Sequence, residues 1–263
     1  MEELSGLPTE SAKQIRAYYS TLFRAWGPQH WWPAQSAFEV IVGAYLTQNT
    51  AWTNVEKALR NLRAAGMLSA TGIRGISIRD LERLIRPAGY FRQKAKRLKL
   101  FIAFLDEKYG GSLARMFATP TTQLRQELLG LHGVGEETAD SILLYAGNHA
   151  VFVVDAYTRR VVERHQLLSA GVTYKEIQRL FQEALFSGAD SAFRCDLEGE
   201  PRATKFPDTA HSPSRMSTSE RTPLIQVYNE MHGLIVGVGK HYCRKSQPRC
   251  DECPLRNFLP AHK

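Results

Sequence analysis

Leu129-Gly130-Leu131-His132-Gly133-Val134-Gly135-Glu136-Glu137-Thr138-Ala139, followed later by Asp155, is the stretch whose reading decides the fold. Its flanks, 122–129 and 136–146, both carry helical periodicity. Leu124, Leu128 and Leu129 share one face of the first; Ala139, Ile142, Leu143 and Ala146 share one face of the second. The Gly-Val-Gly turn between them supplies residues that tolerate positive φ and let another backbone come close. The spacing predicts a tight helical hairpin whose free N–H groups point outward beside a helix N-terminus. Such a nest binds a phosphate group through backbone dipoles. Asp155 follows the apolar run Val151-Phe152-Val153-Val154 and precedes a helical segment, 156–165. It reads both as a plain N-cap and as a carboxylate able to act on something the hairpin holds.

Outward from the hairpin, helical pattern covers nearly the whole chain. Ile15, Tyr19, Leu22 and Trp26 make one face of an N-terminal helix, and Phe38, Ile41, Val42 and Tyr45 one face of the next. Val55, Ala58, Leu59 and Leu62 follow, closed by Gly66. Ser77 can cap a helix that stops at Pro87 and Gly89, and Ala95, Leu98, Ile102 and Leu105 continue the series. Ile177, Leu180, Phe181, Ala184 and Leu185 form another face, and Thr222-Pro223 opens a last long helix. Short apolar runs are too few to build a sheet, so the expected class is all-α. Residues 187–221, rich in Ser, Pro and Arg and without apolar period, read as a flexible insertion.

A chain of 263 residues can bury a sizeable core, as one large or two small domains. Its net charge of +8 favours a polyanionic partner such as nucleic acid. No apolar run of membrane-spanning length occurs. The polar, acidic start Met1-Glu2-Glu3-Leu4 argues against a signal peptide, and a cytoplasmic location is expected. Of four cysteines, Cys243, Cys250 and Cys253 crowd near the C-terminus. That suits a metal or cluster site in a reducing compartment better than a disulfide framework.

Five pieces in order resemble the helix-hairpin-helix DNA glycosylase superfamily, in its endonuclease III branch. They are Leu46-Thr47-Gln48-Asn49-Thr50, Gly89-Tyr90-Phe91 with Gln93-Lys94-Ala95, the hairpin from Leu131 to Ala139, Val153-Val154-Asp155, and Cys243 through Cys253. Trp31-Trp32-Pro33, with Trp52, resembles most the sub-branch that removes 3-methylated purines. The resemblance implies two helical domains, 36–148 and 1–35 with 149–263, gripping duplex DNA that carries a damaged base in the cleft between them. It implies that Gly133, Val134 and Gly135 hold the DNA backbone, that Gln48 fills the gap left by a flipped nucleotide, and that Asp155 is catalytic. The expected enzyme acts as a monomer.

The chemistry follows. Breaking an N-glycosidic bond makes the sugar cationic as the base leaves, and a fixed carboxylate beside C1′ stabilises that charge. Removing it should cost on the order of 10²–10⁴ in rate. Relatives that also cut the strand carry a hairpin Lys whose amine forms a Schiff base with C1′. Here that position is Glu137, which cannot form an imine. The expectation is a monofunctional glycosylase that uses water. Trp31, Trp32 and Trp52 are candidates to stack on the extruded base, with Lys240 as a pocket or phosphate contact and His232 as a helix-packing residue. The basic run from Arg92 to Arg97, and Lys94 within it, is expected to meet backbone phosphates, or to be a solvated face.

The cysteine spacing resembles the start of an iron–sulfur loop whose fourth ligand would fall at Leu259. A [4Fe–4S] cluster completed by Cys195 or His262, a zinc ion, or no metal at all are the readings that stay open. Two other functions also stay open: an endonuclease III-type glycosylase and lyase acting on oxidised pyrimidines, and a non-catalytic DNA-binding module.

Overall fold

The computed structural model describes residues 9–186 and 210–260; Cys195, His262 and most of the expected insertion lie outside these residues. Among the described residues every regular element is a helix. The chain divides into two compact units, Ala34–His149 and Met1–Pro33 with Ala150–Lys263.

The Ala34–His149 unit is built around α2 (Ala37–Leu46), started by the Ser36 hydroxyl, which accepts from the Glu39 N–H. Phe38 to Leu46 are all buried, the one carboxylate among them, Glu39, being paired with Arg63. Packed on it are α3 (Trp52–Ala64), which buries Val55, Ala58, Leu59 and Leu62, and α6 (Phe91–Tyr109). The short α4 (Ala70–Gly75) and α5 (Ile78–Leu84) are each started by a serine, Ser69 and Ser77, whose side chain accepts the amide three residues on. Pro87 and Gly89, with φ of 63°, end that run. After α7 (Leu113–Phe117) come the hairpin helices α8 (Thr121–Leu129) and α9 (Glu136–Ser141).

The second hairpin helix differs from its sequence reading. Residues Ile142–Ala146 continue it as a π-helical turn, with the Gly147 N–H donating to Ile142 O at 3.1 Å. The wider turn lies inside the core, with Ile142, Leu143, Leu144 and Tyr145 all buried.

In the other unit α1 (Thr9–Trp26) packs on α11 (Tyr174–Phe186), and α10 (Ala156–Arg164) packs on α12 (Pro223–His241). Helix α12 is buried almost throughout from Tyr228 to Gly239 and forms the centre of this unit. Phe152 stacks on Phe181 with centroids 4.6 Å apart. Each such buried aromatic contributes about 2–3 kcal/mol of burial energy.

Residues 210–221, the described end of the expected insertion, form turns tied to the rest of their unit. His211 N–H donates to Gln29 O at 3.0 Å, and Ser217 Oγ accepts from the Ser214 amide at 2.8 Å. Ser214 Oγ also reaches Trp32 O at 3.4 Å. Ser214 and Ser217 satisfy their own turn and are buried.

Candidate active site

The hairpin is held from three directions. Arg125 on α8 makes a bidentate pair with the buried Asp140 on α9, at 2.7 and 3.0 Å, and also meets Glu136 at 3.5 Å. This fork fixes the two hairpin helices against each other. The turn closes with the Val134 N–H donating to Leu131 O at 3.0 Å, and Val134 is buried as its anchor. Gly133 has φ of +82°, and the space a Cβ would fill there is taken by the Arg97 side chain. Among the described residues no acceptor takes up the amides of His132, Gly133 and Gly135, so these donors remain for a ligand.

Gln48 docks on this turn. Its Nε2 donates to Gly133 O at 3.0 Å and to Thr138 Oγ1 at 2.9 Å, while its Oε1 accepts from Arg97 at 2.6 Å. Lys94 does not face solvent. It is 1 % exposed, and its ammonium donates to Leu46 O at 2.8 Å, Thr50 Oγ1 at 2.6 Å and Ala88 O at 2.8 Å. Burial pushes it down to about 8. The expected phosphate contact at Lys94 is therefore corrected to a structural tie that clamps the loop after α2. The exposed members of that basic run are Arg92, Gln93 and Lys96. Trp52, at the first turn of α3, donates its Nε1 to Glu56 at 3.0 Å and is half-buried in the same unit.

Asp155 begins α10 as its N-cap: Oδ1 accepts from the Thr158 N–H at 2.7 Å and from the Thr158 hydroxyl at 3.0 Å. Oδ2 lies 3.6 Å from His232 Nε2, with the Asp155 side chain 12 % exposed. Burial alone would push this carboxyl up; His232 and the two Thr158 donors outweigh it and hold it below the usual carboxylate range. The N-cap and the poised carboxylate are thus the same geometry, and Thr158 and His232 are partners that the sequence did not reveal.

Trp31 and Trp32 lie in the same unit as Asp155, both buried, with centroids 5.5 Å apart. Trp31 meets the His232 ring edge-on at 5.8 Å and the His211 ring at 5.3 Å. Lys240 Nζ stands 5.8 Å from the Trp31 ring centroid. Trp31, His232, Lys240 and Asp155 are thus joined contact by contact, whereas Trp52 belongs to the other unit. His232 shares a face of α12 with Tyr228, Ile225 and Ile235, which marks it as buried but not as a partner of Asp155.

Cys243, Cys250 and Cys253 line one small cavity with His165, Leu255 and Leu259. Cys243 Sγ accepts from Arg164 at 3.3 Å, and its backbone carbonyl accepts from Arg160. Burial, reinforced by the two neighbouring thiols, pushes Cys253 up to about 11. Leu259, at the fourth expected position, offers no donor atom. Among the described residues no set of three or more His, Cys, Asp or Glu side chains is placed to hold a metal. The described residues supply three of the thiolates that a four-site cluster needs, and Cys195 and His262 lie outside them.

Residues 42–185 match the family described as the HhH-GPD superfamily of base excision DNA repair proteins. A Methanocaldococcus jannaschii protein assigned by name to the DNA repair glycosylases is 40% identical over 248 residues, covering 94% of this chain and 96% of that protein. The endonuclease III-like protein 1 of Bos taurus is 26% identical over 230 residues, 87% of this chain but 60% of its own length. A solved Helicobacter pylori 3-methyladenine DNA glycosylase, bound to 1,N6-ethenoadenine, superposes with a TM-score of 0.67 at 29% identity, covering 88% of this chain and 97% of that one. An endonuclease III trapped as a covalent DNA intermediate shares the fold, with a TM-score of 0.68 at 19% identity over 94% of this chain and 95% of that one.

Proposed function

The chain belongs to the HhH-GPD superfamily of base excision DNA repair proteins, and from that premise we propose that it is a monofunctional DNA glycosylase that releases alkylated purines by hydrolysis. The observation that carries this reading is the Asp155 carboxylate, anchored through Oδ1 by Thr158 and facing His232 through Oδ2. An anion fixed in place before the reaction stabilises the oxocarbenium charge that builds as the base leaves, with no reorganisation during the step. It also orients water for attack at C1′.

In this reading the amides of His132, Gly133 and Gly135 take the DNA phosphate. Gln48 lies beside them to enter the gap left by the flipped nucleotide, whose extrusion costs a few kcal/mol. Glu137 replaces the amine that strand-cleaving relatives need, which supports water as the nucleophile. Trp31 and Trp32, in the same unit as Asp155, support a methylated purine, because stacking on an indole contributes about 1–3 kcal/mol per base. Similarity to the H. pylori 3-methyladenine enzyme points the same way.

Similarity to endonuclease III-like proteins favours one second reading, a glycosylase and lyase acting on oxidised pyrimidines. Base release from duplexes carrying 3-methyladenine, 7-methylguanine or thymine glycol, with and without alkali, separates the two. Release of methylated purines with strand breaks only after alkali upholds the first. Thymine glycol release with spontaneous strand breaks upholds the second.

A further inference from the structure

Asp155 and His232 are far apart in sequence, and the packing of α10 on α12 brings them together. Thr158 occupies Oδ1 of the carboxylate with two donors, at 2.7 and 3.0 Å. Oδ2 is left, and His232 Nε2 faces it at 3.6 Å. The two side chains are 12 % and 5 % exposed, so water screens their attraction poorly. The imidazole is itself fixed, meeting Trp31 edge-on at 5.8 Å and Phe152 at 6.3 Å. A ring wedged between two aromatics cannot swing away from the carboxylate without unpacking α12.

We infer that His232 is a positioning residue for base release: it fixes the second oxygen of Asp155 and carries the activity further into acid than Thr158 alone allows. The inference rests on Asp155 being the carboxylate of the proposed reaction. A donor held against Oδ2 favours the anion of Asp155 over its acid, and removing that donor lets the carboxyl take its proton at higher pH. The direction of the Asp155 shift, downward despite burial, agrees with this.

Other ionisable groups surround the pair without replacing it. On α10, burial and the Asp155 charge push the Tyr157 hydroxyl up, and Arg160 stands 5.1 Å from the Tyr157 ring. On α12, Glu230 is engaged by the Gln29 N–H at 2.7 Å, and Lys240 stands against Trp31. His211 meets the Trp31 ring, and the Tyr174 hydroxyl accepts from the Val154 amide at 3.2 Å. Among the described residues His232 is the basic side chain at ion-pair distance from Asp155.

The test is single-turnover base release from dimethyl sulfate-methylated duplex DNA, corrected for spontaneous loss, from about pH 3 to 7. The proteins are wild type, His232→Gln, His232→Leu and Asp155→Asn. For His232→Leu the acid limb should move up by about one pH unit, and His232→Gln should move it less. A loss of rate that is equal at every pH, with the limb in place, would overturn the inference and leave His232 a packing residue. Should His232→Leu fail to fold, ¹³C NMR titration of the Asp155 carboxyl in wild type and His232→Gln decides. A higher midpoint in the variant upholds the inference, and an unmoved one overturns it. An active Asp155→Asn overturns the parent reading alone, because the carboxyl titration still reports what His232 does.

Discussion

The Arg97 side chain occupies the place where a Cβ on Gly133 would project, and Gly133 itself has φ of +82°. The hairpin glycine is therefore required twice, once by backbone conformation and once by the neighbour beneath it. Arg97 also bonds Gln48, which bonds Gly133 O, so the turn, the loop after α2 and the start of α6 form one closed set of contacts.

Gly133→Ala should destabilise the protein by about 1–3 kcal/mol, from the left-handed φ and the displaced Arg97. Thermal unfolding should show a drop of about 3–10 °C, and duplex affinity should fall with it. Adding Arg97→Ala should recover part of the stability but not all, since the φ penalty stays.

Lys94→Met should cost about 1–3 kcal/mol, because the Leu46 carbonyl loses its donor in a buried place. The pH dependence has a definite sign. Folded Lys94 sits near 8, below its ordinary value of 10.5, so the unfolded chain binds more protons between those values. This residue's contribution therefore rises as pH climbs from about 8 to 10.5. Subtracting the Lys94→Met stability curve from that of wild type should isolate this rise.

His165 gives the opposite end of the range. Burial pushes its imidazole down to about 4, and Nδ1 pairs with the Tyr18 hydroxyl at 2.7 Å. Its folded value lies below the ordinary 6.5, so the stability it confers is present above that pH and is lost as pH falls toward 4. Denaturant midpoints measured across this window should fall for wild type and should fall less for His165→Gln.

Borohydride trapping on damaged duplex should give no covalent adduct with wild type, since Glu137 offers no amine. Glu137→Lys should give a detectable adduct. Trapping of the wild-type protein would place an unrecognised amine at C1′ and favour the lyase reading.

The hairpin was legible in the sequence because glycine at a positive φ is a strong local signal, and the helices because their apolar positions repeat at helical spacing. Asp155 was legible as a cap for the same local reason. Lys94 was misread because it stands in a basic run; yet Lys94, Leu98, Phe101 and Leu105 fall on one buried face of α6, a pattern the sequence contains. The burial of Ser214 and Ser217 was not legible, because serine favours turns whether or not those turns pack. The pairing of Asp155 with His232 was not legible, because it depends on how α10 meets α12, a long-range event that no local pattern encodes.

The central claim is that the charge of Asp155, and not its role as a helix cap, drives base release. Asparagine caps a helix about as well as aspartate, so Asp155→Asn keeps the fold while removing the anion. Base release from methylated duplex DNA, measured alongside duplex affinity and melting temperature, tests this directly. The account predicts a rate loss on the order of 10²–10⁴ with affinity and melting temperature nearly unchanged. Wild-type rates from the variant would contradict it.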